Sequence, residues 1–264
     1  MTAPLSADRL TFAYRPDRDV LHEVSVSLRR GEILFVLGAN GSGKTTLLEC
    51  LAGLRAPRRG RVVLDGDPAS ELVPSARARR VGLVPQIHEP IFDFTVGEVV
   101  LMGRAPHLGL FARPGLRDRD AVDRALGAVG LLDLRERVYT EISGGERQLA
   151  LIARGLAQGA SCLLMDEPAA HLDPHHQFDV FAAVAGLAED GFSFIVTSHQ
   201  PNSALLYADR VMFLVEGRIG AEGTPEEAVT EEALAAAYGI EFELIRGGGD
   251  SRAILPKRPR RPRG

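Results

Sequence analysis

The residues best suited to do chemistry form one glycine-rich stretch, residues 38–46, with the sequence GANGSGKTT. Its spacing is G-x-x-x-x-G-K-T, in which successive backbone N–H groups turn inward on a phosphate while Lys44 neutralises the phosphate charge. Thr45 would then place its hydroxyl on a magnesium ion. A plain turn between a strand and a helix would explain Gly38 and Gly43, but it leaves the Lys-Thr pair unexplained. The stretch therefore predicts a phosphate-binding loop.

A second group with chemical potential, Asp166-Glu167, ends the apolar run at residues 162–165. Parallel strands present their carboxyl ends to ligands, so both carboxylates are expected near the phosphate-binding loop. Asp166 would hold magnesium, directly or through water, and Glu167 would orient or deprotonate a water that attacks the terminal phosphate. Two acids at a strand end could also form a solvated turn, but the loop earlier in the chain favours hydrolysis.

The patterns around these groups predict the elements that must position them. The apolar run at 33–37 predicts a strand before the loop, and Leu47, Leu48 and Leu51 mark a helix after it that should end at Gly53. Alternating apolar residues between 10 and 28 predict an antiparallel hairpin. Further strands, some apolar on both faces as in a covered parallel sheet, are predicted at 61–64, 81–85, 162–165, 192–197, 210–215 and 240–245.

Three S/T-x-x-E spacings predict helix starts, because the first side chain and the glutamate can cap the N-terminus reciprocally. They begin at Thr95, Ser143 and Thr224. Apolar residues recur at helical spacing between 117 and 129, so that the middle third of the chain is expected to be mostly helical.

Length and composition predict a folded protein that neither spans a membrane nor is secreted. With 264 residues and 45% apolar content the chain can fill a large core. No apolar run approaches the ~20 residues that span a bilayer, and the N-terminus lacks the features of a secretory signal. Cytosolic residence is therefore expected. Cys50 and Cys162 lie in apolar surroundings and are expected to be buried thiols.

The charge is distributed unevenly along the chain. The formal charge is −4, yet six basic residues follow Asp250, so that the remainder stands at −10. This balance argues against nucleic acid as a partner of the folded body. Residues 246–264 are rich in proline and arginine and are expected to form a disordered tail, solvated or in contact with anionic lipid.

With these motifs, the chain resembles an ATP-binding cassette subunit, the ATPase of ABC transporters, over residues 5–245. Five further matches occur in order: Tyr14 as the adenine-stacking aromatic, Gln86 of the Q-loop, Ser143-Gly144-Gly145 of the signature, Asp173 of the D-loop and the switch histidine His199. The resemblance implies an α/β P-loop NTPase fold. Its RecA-like core has a mainly parallel sheet, joined by an N-terminal antiparallel β subdomain and a helical subdomain inserted at about 88–160.

The resemblance also implies a role for each matched residue, with ATP and Mg²⁺ as ligands. Nucleotide contacts are implied for Tyr14, Gly38, Asn40, Gly41, Ser42, Gly43, Lys44, Thr45, Thr46, Ser143, Gly144, Gly145 and Asp173. Metal contacts are implied for Thr45, Gln86 and Asp166, and catalytic roles for Glu167, His199, Lys44 and Gln86.

One chain supplies only half of each reaction centre in this family. Ser143 stands at a predicted helix N-terminus, where exposed N–H groups and the helix dipole favour an anion. In the family this anion is the γ-phosphate held by a second subunit. The resemblance therefore implies a head-to-tail homodimer that closes over two Mg-ATP and reopens on hydrolysis.

Three residues depart from the family pattern. Ile142 replaces the leucine before the signature serine, Glu146 stands where glutamine is common, and Ala169 replaces threonine or serine after Pro168. None of them removes a phosphate ligand, so they bear on rates and on the dimer interface.

Several stretches, most of them in the middle of the chain, indicate which class of transporter the chain would serve. Residues 91–111 suit a groove that receives one of two membrane permease subunits, with a substrate-binding protein as an indirect partner and the chain peripheral on the cytoplasmic face of the membrane. Residues 95–107 are similar to the ATPases of iron-siderophore, haem and cobalamin importers. Residues 108–114, 148–154 and 198–202 are similar to their molybdate- and tungstate-transporting relatives.

Three alternatives stay open at this point. An exporter ATPase would share the same motifs. A soluble ABC ATPase acting on DNA or ribosomes would carry a long coiled coil or a second cassette, which this sequence lacks. A P-loop kinase would need an acceptor site and leaves Ser143 unexplained.

Overall fold

The computed structural model describes residues 3–86, 93–109, 112–248 and 252–258. The strands are β1 (Leu5–Phe12), β2 (Leu21–Leu28), β3 (Ile33–Leu37), β4 (Arg59–Leu64), β5 (Asp67–Pro68), β6 (Val81–Val84), β7 (Cys162–Asp166), β8 (Ser193–Ser198), β9 (Arg210–Val215), β10 (Arg218–Gly223), β11 (Phe242–Arg246) and β12 (Arg252–Pro256). The α-helices are α1 (Lys44–Leu51), α2 (Pro74–Ala78), α3 (Val96–Leu101), α4 (Leu116–Ala128), α5 (Gly144–Ala157), α6 (Pro174–Glu189), α7 (Pro201–Tyr207), α8 (Pro225–Ala228) and α9 (Glu231–Tyr238).

The central sheet has the strand order β10-β9-β3-β8-β7-β6. All of its pairs are parallel except β9 with β10. Every residue of β3 and β7 is buried, as expected for strands covered on both faces. The predicted parallel sheet is therefore confirmed, and it brings the carboxyl ends of β3, β7 and β8 to one edge.

A second, antiparallel sheet has the order β2-β1-β4-β5. Its first two strands confirm the predicted hairpin, with Leu10 opposite Val24 and Phe12 opposite Leu21. Its inner side chains share one apolar cluster with Leu34 and Val36 of β3. Alternate residues of β3 point to the other face and join a larger cluster with the helices. The buried leucines of α1 belong to the cluster shared with the antiparallel sheet, so that this helix packs beside that sheet.

The helical region lies between β6 and β7 in the chain, where α3, α4 and α5 pack on one another. The three predicted capping boxes are confirmed at Thr95, Ser143 and Thr224. A part-buried ion pair links two segments of the region, since Arg104 Nε lies 2.9 Å from Asp118 Oδ1. Part of the predicted permease groove, residues 91, 92, 110 and 111, lies outside the described residues.

The prediction of a disordered tail from residue 246 is wrong for the part that the structure describes. Arg246 ends β11, and β12 pairs with it in antiparallel register. Ile254 is only 2% exposed and packs into the main core, and this burial stabilises a strand despite the surrounding prolines and arginines. Residues 249–251 and 259–264 of the predicted tail lie outside the described residues.

Both cysteines are free and buried, as predicted. Within the described ranges, no helix combines the length and the hydropathy that crossing a membrane requires.

Candidate active site

The phosphate-binding loop connects β3 to α1 at the carboxyl edge of the central sheet. A side chain at Gly38 has no room, because its Cβ would lie 2.4 Å from the Leu214 carbonyl oxygen. Gly43 has φ 105°, in the left-handed region that glycine adopts without strain, and it begins α1 without a capping side chain. The first N–H groups of α1 are thus left for an anion, where the helix dipole favours one.

Lys44 is folded back over the loop and is 5% exposed. Its Nζ donates to the carbonyl oxygens of Gly38 at 2.9 Å and Ala39 at 3.1 Å. It also lies 3.4 Å from Glu167 Oε1, which balances its charge. The lysine is therefore held at the mouth of the loop, where a phosphate group would take the place of the carboxylate.

Asp166 ends β7 beside the loop and is 7% exposed. Thr45 Oγ1 donates to its Oδ2 at 2.7 Å, and Thr197 Oγ1 donates to its Oδ1 at 2.7 Å. Carboxylate and hydroxyl oxygens are the hard ligands that Mg²⁺ prefers, and two adjacent ligands of an octahedral Mg²⁺ lie about 3 Å apart. The Thr45–Asp166 pair therefore fits that ion.

Glu167 is the point at which the predicted catalytic residues meet. Its carboxylate lies 2.8 Å from His199 Nδ1 and accepts from Gln86 Nε2 at 3.4 Å, in addition to the Lys44 contact. Its φ of 47° is unusual for a residue other than glycine and costs about 1–2 kcal/mol. The Thr197 hydroxyl accepts the Glu167 N–H at 3.0 Å and so holds this strained backbone in place.

Tyr14 lies across from α1 and is 53% exposed. Its hydroxyl lies 3.0 Å from Thr46 Oγ1 and donates to Glu49 Oε2 at 3.2 Å. The Arg55 guanidinium lies 5.0 Å from the ring centroid, within the range of a cation–π contact. These contacts fix the ring at the edge of the loop with much of it open to solvent.

A cleft of about 620 Å³ brings most of the predicted residues together, a volume typical of a small-molecule site. Its walls are Tyr14, Val20, Asn40, Gly41, Gly43, Lys44, Thr45, Thr46, Gln86, Glu167, His171 and His199. Asp166 and Gly38 lie directly behind this wall, through their contacts with Thr45 and Lys44. Ser42 lies within the same loop, its hydroxyl buried.

A second group of predicted residues, Ser143 to Gly145 with Asp173, is not among the described residues that line the cleft. Ser143 Oγ accepts the Glu146 N–H at 3.2 Å, and Glu146 accepts the Ser143 N–H at 2.7 Å. This second bond lowers the pKa of Glu146, so that the departure from glutamine supplies a charged cap. The signature turn is therefore a well-formed helix N-terminus.

Asp173 lies beside this turn and caps α6. Its carboxylate accepts the N–H groups of His175 and His176 and lies 2.6 Å from His176 Nδ1. The His176 ring also fills the space next to Gly145, where a Cβ would lie 2.5 Å from its Cδ2. The structure thus divides the predicted residues into a phosphate-side group and a signature-side group.

Sequence reasoning missed Thr197 and His171 as site residues. Thr197 pairs in register with Asp166 on the neighbouring strand, and its place two residues before His199 was the available signal. His171 lines the cleft with φ 66°, and its place two residues before Asp173, in the stretch similar to the D-loop, was the available signal.

Comparison with known proteins places these motifs in a family. The family model described as ABC transporter matches residues 21–170, which include the phosphate-binding loop, the signature turn and Glu167. The chain is 44% identical to the hemin import ATP-binding protein HmuV of Pseudomonas putida, covering 86% of this chain and 89% of that one. It is 37% identical to the ferric enterobactin transport ATP-binding protein FepC of Escherichia coli, covering 92% and 90%.

Solved structures agree with the sequence matches. A chain from an inward-facing metal-chelate type ABC transporter superposes with a TM-score of 0.85 at 30% identity, covering 98% of both chains. The ATP-binding cassette MJ1267 in its ADP conformation superposes with a TM-score of 0.77 at 26% identity, covering 86% of this chain and 93% of that one. The chain therefore belongs to the ABC transporter family, as one of its ATP-binding, ATP-hydrolysing subunits.

Proposed function

We propose that the chain powers import of a metal chelate of the iron-siderophore, haem or cobalamin type through separate permease subunits. Support for the cargo class comes from its relatives, since proteins named for the import of hemin, petrobactin and cobalamin and for the transport of ferric enterobactin all align over most of this chain. The proposed mechanism rests on one observation, the division of the predicted residues into a phosphate-side group and a signature-side group. The chain would dock at the cytoplasmic face of the membrane through the helical region between β6 and β7.

The phosphate-side group would bind ATP and activate water. The loop N–H groups and Lys44 would hold the β- and γ-phosphates, while Thr45 and Asp166 would hold Mg²⁺ together with Gln86. When bound, Mg²⁺ supplies positive charge against the phosphate oxygens. Entry of the γ-phosphate would draw Lys44 away from Glu167 and leave that carboxylate free to take a proton from the attacking water.

His199 would hold that carboxylate in place and contact the γ-phosphate. Its Nδ1 is already 2.8 Å from Glu167 Oε2, so that one side chain can link the base to the nucleotide. Tyr14 would stack on adenine, because its exposed ring stands at the open end of the cleft.

The signature-side group would complete the site of a second copy. Ser143, Gly144 and Gly145 form the N-terminus of the 14-residue helix α5, a suitable anion site. Because this turn does not line its own cleft, a head-to-tail dimer would bring it over the partner's γ-phosphate. Asp173, held beside the turn by His176, would lie in the same interface.

Replacing Glu167 by glutamine tests the proposed base. The amide keeps the shape of the side chain but cannot take a proton, so ATP turnover should fall roughly 100-fold or more. ATP-bound dimers should then accumulate and elute early on a sizing column. The matched control is E71Q, which makes the same change at an exposed site away from the cleft and should leave turnover unchanged. Wild-type turnover in E167Q would refute the assignment.

Import itself is tested with the chain assembled on its permeases in lipid vesicles. Binding protein loaded with a ferric siderophore, haem or cobalamin should stimulate ATP hydrolysis for one of the three. Stimulation by molybdate or tungstate alone would move the chain to the alternative oxyanion class.

A further inference from the structure

The C-terminal helix α9 and the hairpin β11–β12 form one unit that packs beside the active site. Leu244 and Ile254 are paired with each other across the hairpin. The N–H group of each residue donates to a side chain of another element. Leu244 N–H donates to Glu231 Oε1 of α9 at 3.2 Å. Ile254 N–H donates to Asn202 Oδ1 of α7 at 2.8 Å. The hairpin therefore connects α9 to α7.

Two hydrogen bonds join the hairpin to α7, and both involve the Asn202 side chain. Asn202 Nδ2 also donates to the Ile254 carbonyl oxygen at 3.1 Å, so the amide binds both backbone groups of one residue. Two parallel bonds fix the orientation of the amide as well as its distance. Ile254 is itself 2% exposed and anchored in the core, so that the hairpin offers α7 a fixed support.

The supported end of α7 is the end next to the catalytic histidine. Asn202 follows His199 by three residues, and the turn that contains His199 is closed by Gln200 N–H donating to Ser198 Oγ at 2.9 Å. The far end of α7 is held separately, because Tyr207 stacks on Phe181 with centroids 5.0 Å apart. Asn202 therefore ties the first turn of α7, which closely follows His199, to the hairpin.

The same unit contains a partly buried tyrosine, Tyr238, at the end of α9. Tyr238 ends α9, and its ring packs edge-on against Phe242 of β11 at 5.7 Å. Its hydroxyl is buried and has no partner at hydrogen-bond geometry in the described part of the chain. Burial raises the pKa of Tyr238.

We propose that the C-terminal unit, α9 with β11 and β12, braces the catalytic centre, and that Asn202 is the positioning residue through which it fixes His199 against Glu167. The inference rests on the proposed catalytic roles of Glu167 and His199. It assigns to the C-terminal segment a part in turnover that is separate from its contribution to stability.

The test is steady-state ATP hydrolysis by the full-length chain carrying N202A. Displacement of a catalytic group by about 1 Å costs up to about 100-fold, so kcat should fall roughly 10- to 100-fold. The KM for ATP should stay within about twofold, because the loop and Tyr14 are untouched. N202D keeps the acceptor for Ile254 N–H but loses the donor to its carbonyl, and its kcat should lie between wild type and N202A.

The matched control is K257A, which removes the contact of Lys257 Nζ with Glu231 Oε2 at 3.0 Å on the opposite edge of the hairpin. If Asn202 acts by positioning, K257A keeps nearly wild-type kcat. If the hairpin matters only for stability, N202A and K257A lose activity in step with their melting temperatures, and the proposal is overturned. Wild-type kcat in both N202A and N202D would overturn it as well. Wild-type turnover in E167Q would instead refute the proposed base, whatever the result for N202A.

Discussion

Replacing Thr197 by valine removes the hydroxyl that holds both acids of the active site. Thr197 is fully buried, and its Oγ1 donates to Asp166 Oδ1 at 2.7 Å and accepts the Glu167 N–H at 3.0 Å. Valine has nearly the same shape, so packing is preserved while both bonds are lost.

The cost follows from these two bonds. A hydrogen bond to a charged acceptor contributes about 1.5–3 kcal/mol, and a buried N–H left without a partner costs about 1–3 kcal/mol. Because solvent at the cleft can reach part of this edge, we expect T197V to lower the free energy of unfolding by about 2–4 kcal/mol. The melting temperature should fall by roughly 5–15 °C.

Activity should fall as well, since Glu167 loses the bond that holds its strained backbone. At a temperature where the variant is folded, kcat should drop at least about tenfold through misplacement of the base. The matched control is T197S, which keeps the hydroxyl and loses one methyl, and should cost about 1 kcal/mol with kcat nearly unchanged. Denaturant unfolding and ATP hydrolysis measure both effects. Equal stability and equal kcat for the valine and serine variants would refute the reasoning.

Two further predictions concern charge and reactivity. Burial raises the pKa of Cys50 to about 12 and also raises the pKa of Cys162. Neither thiol of the folded chain should therefore react with an alkylating reagent at about pH 8, whereas both should react in the denatured chain. Labelling of the folded chain would contradict this. The Gly115 N–H and the Arg104 guanidinium lower the pKa of Asp118. The carboxylate therefore adds stability above the ordinary aspartate pKa of about 4, and this stability is lost as pH falls through the lowered pKa. D118N should make the free energy of unfolding less dependent on pH in the acid range, and an unchanged acid dependence would contradict the expectation.

The parts of the fold that could be predicted are those in which neighbouring residues carry the information. The loop at 38–46, the capping box at Ser143 and the β1–β2 hairpin each depend on spacing within a short stretch, and all three appear as expected. The acids at 166 and 167 could be placed because parallel strands bring their carboxyl ends together.

The parts that could not be predicted depend on contacts between distant residues or lack a periodic signal. Helix α2 has no buried residue, so no apolar periodicity could reveal it. The partner of Asn202 lies 52 residues further along the chain, and the burial of Ile254 outweighs the composition that predicted disorder around it. Thr197 looks like an ordinary strand residue until its pairing with Asp166 is known.

The central claim is that each nucleotide site is completed by a second copy of the chain, and mixing two inactive variants tests it most directly. K44A should disable the phosphate-binding loop, and S143R should block the signature turn, so that each variant alone is inactive. In a mixed dimer, the intact loop of the S143R chain meets the intact signature of the K44A chain. Because half of the randomly paired dimers are mixed and each has one intact site of two, we expect roughly a quarter of wild-type ATPase activity to return. If the mixture stays as inactive as its components while the chains are shown to exchange, the site is not shared between copies and the account is contradicted.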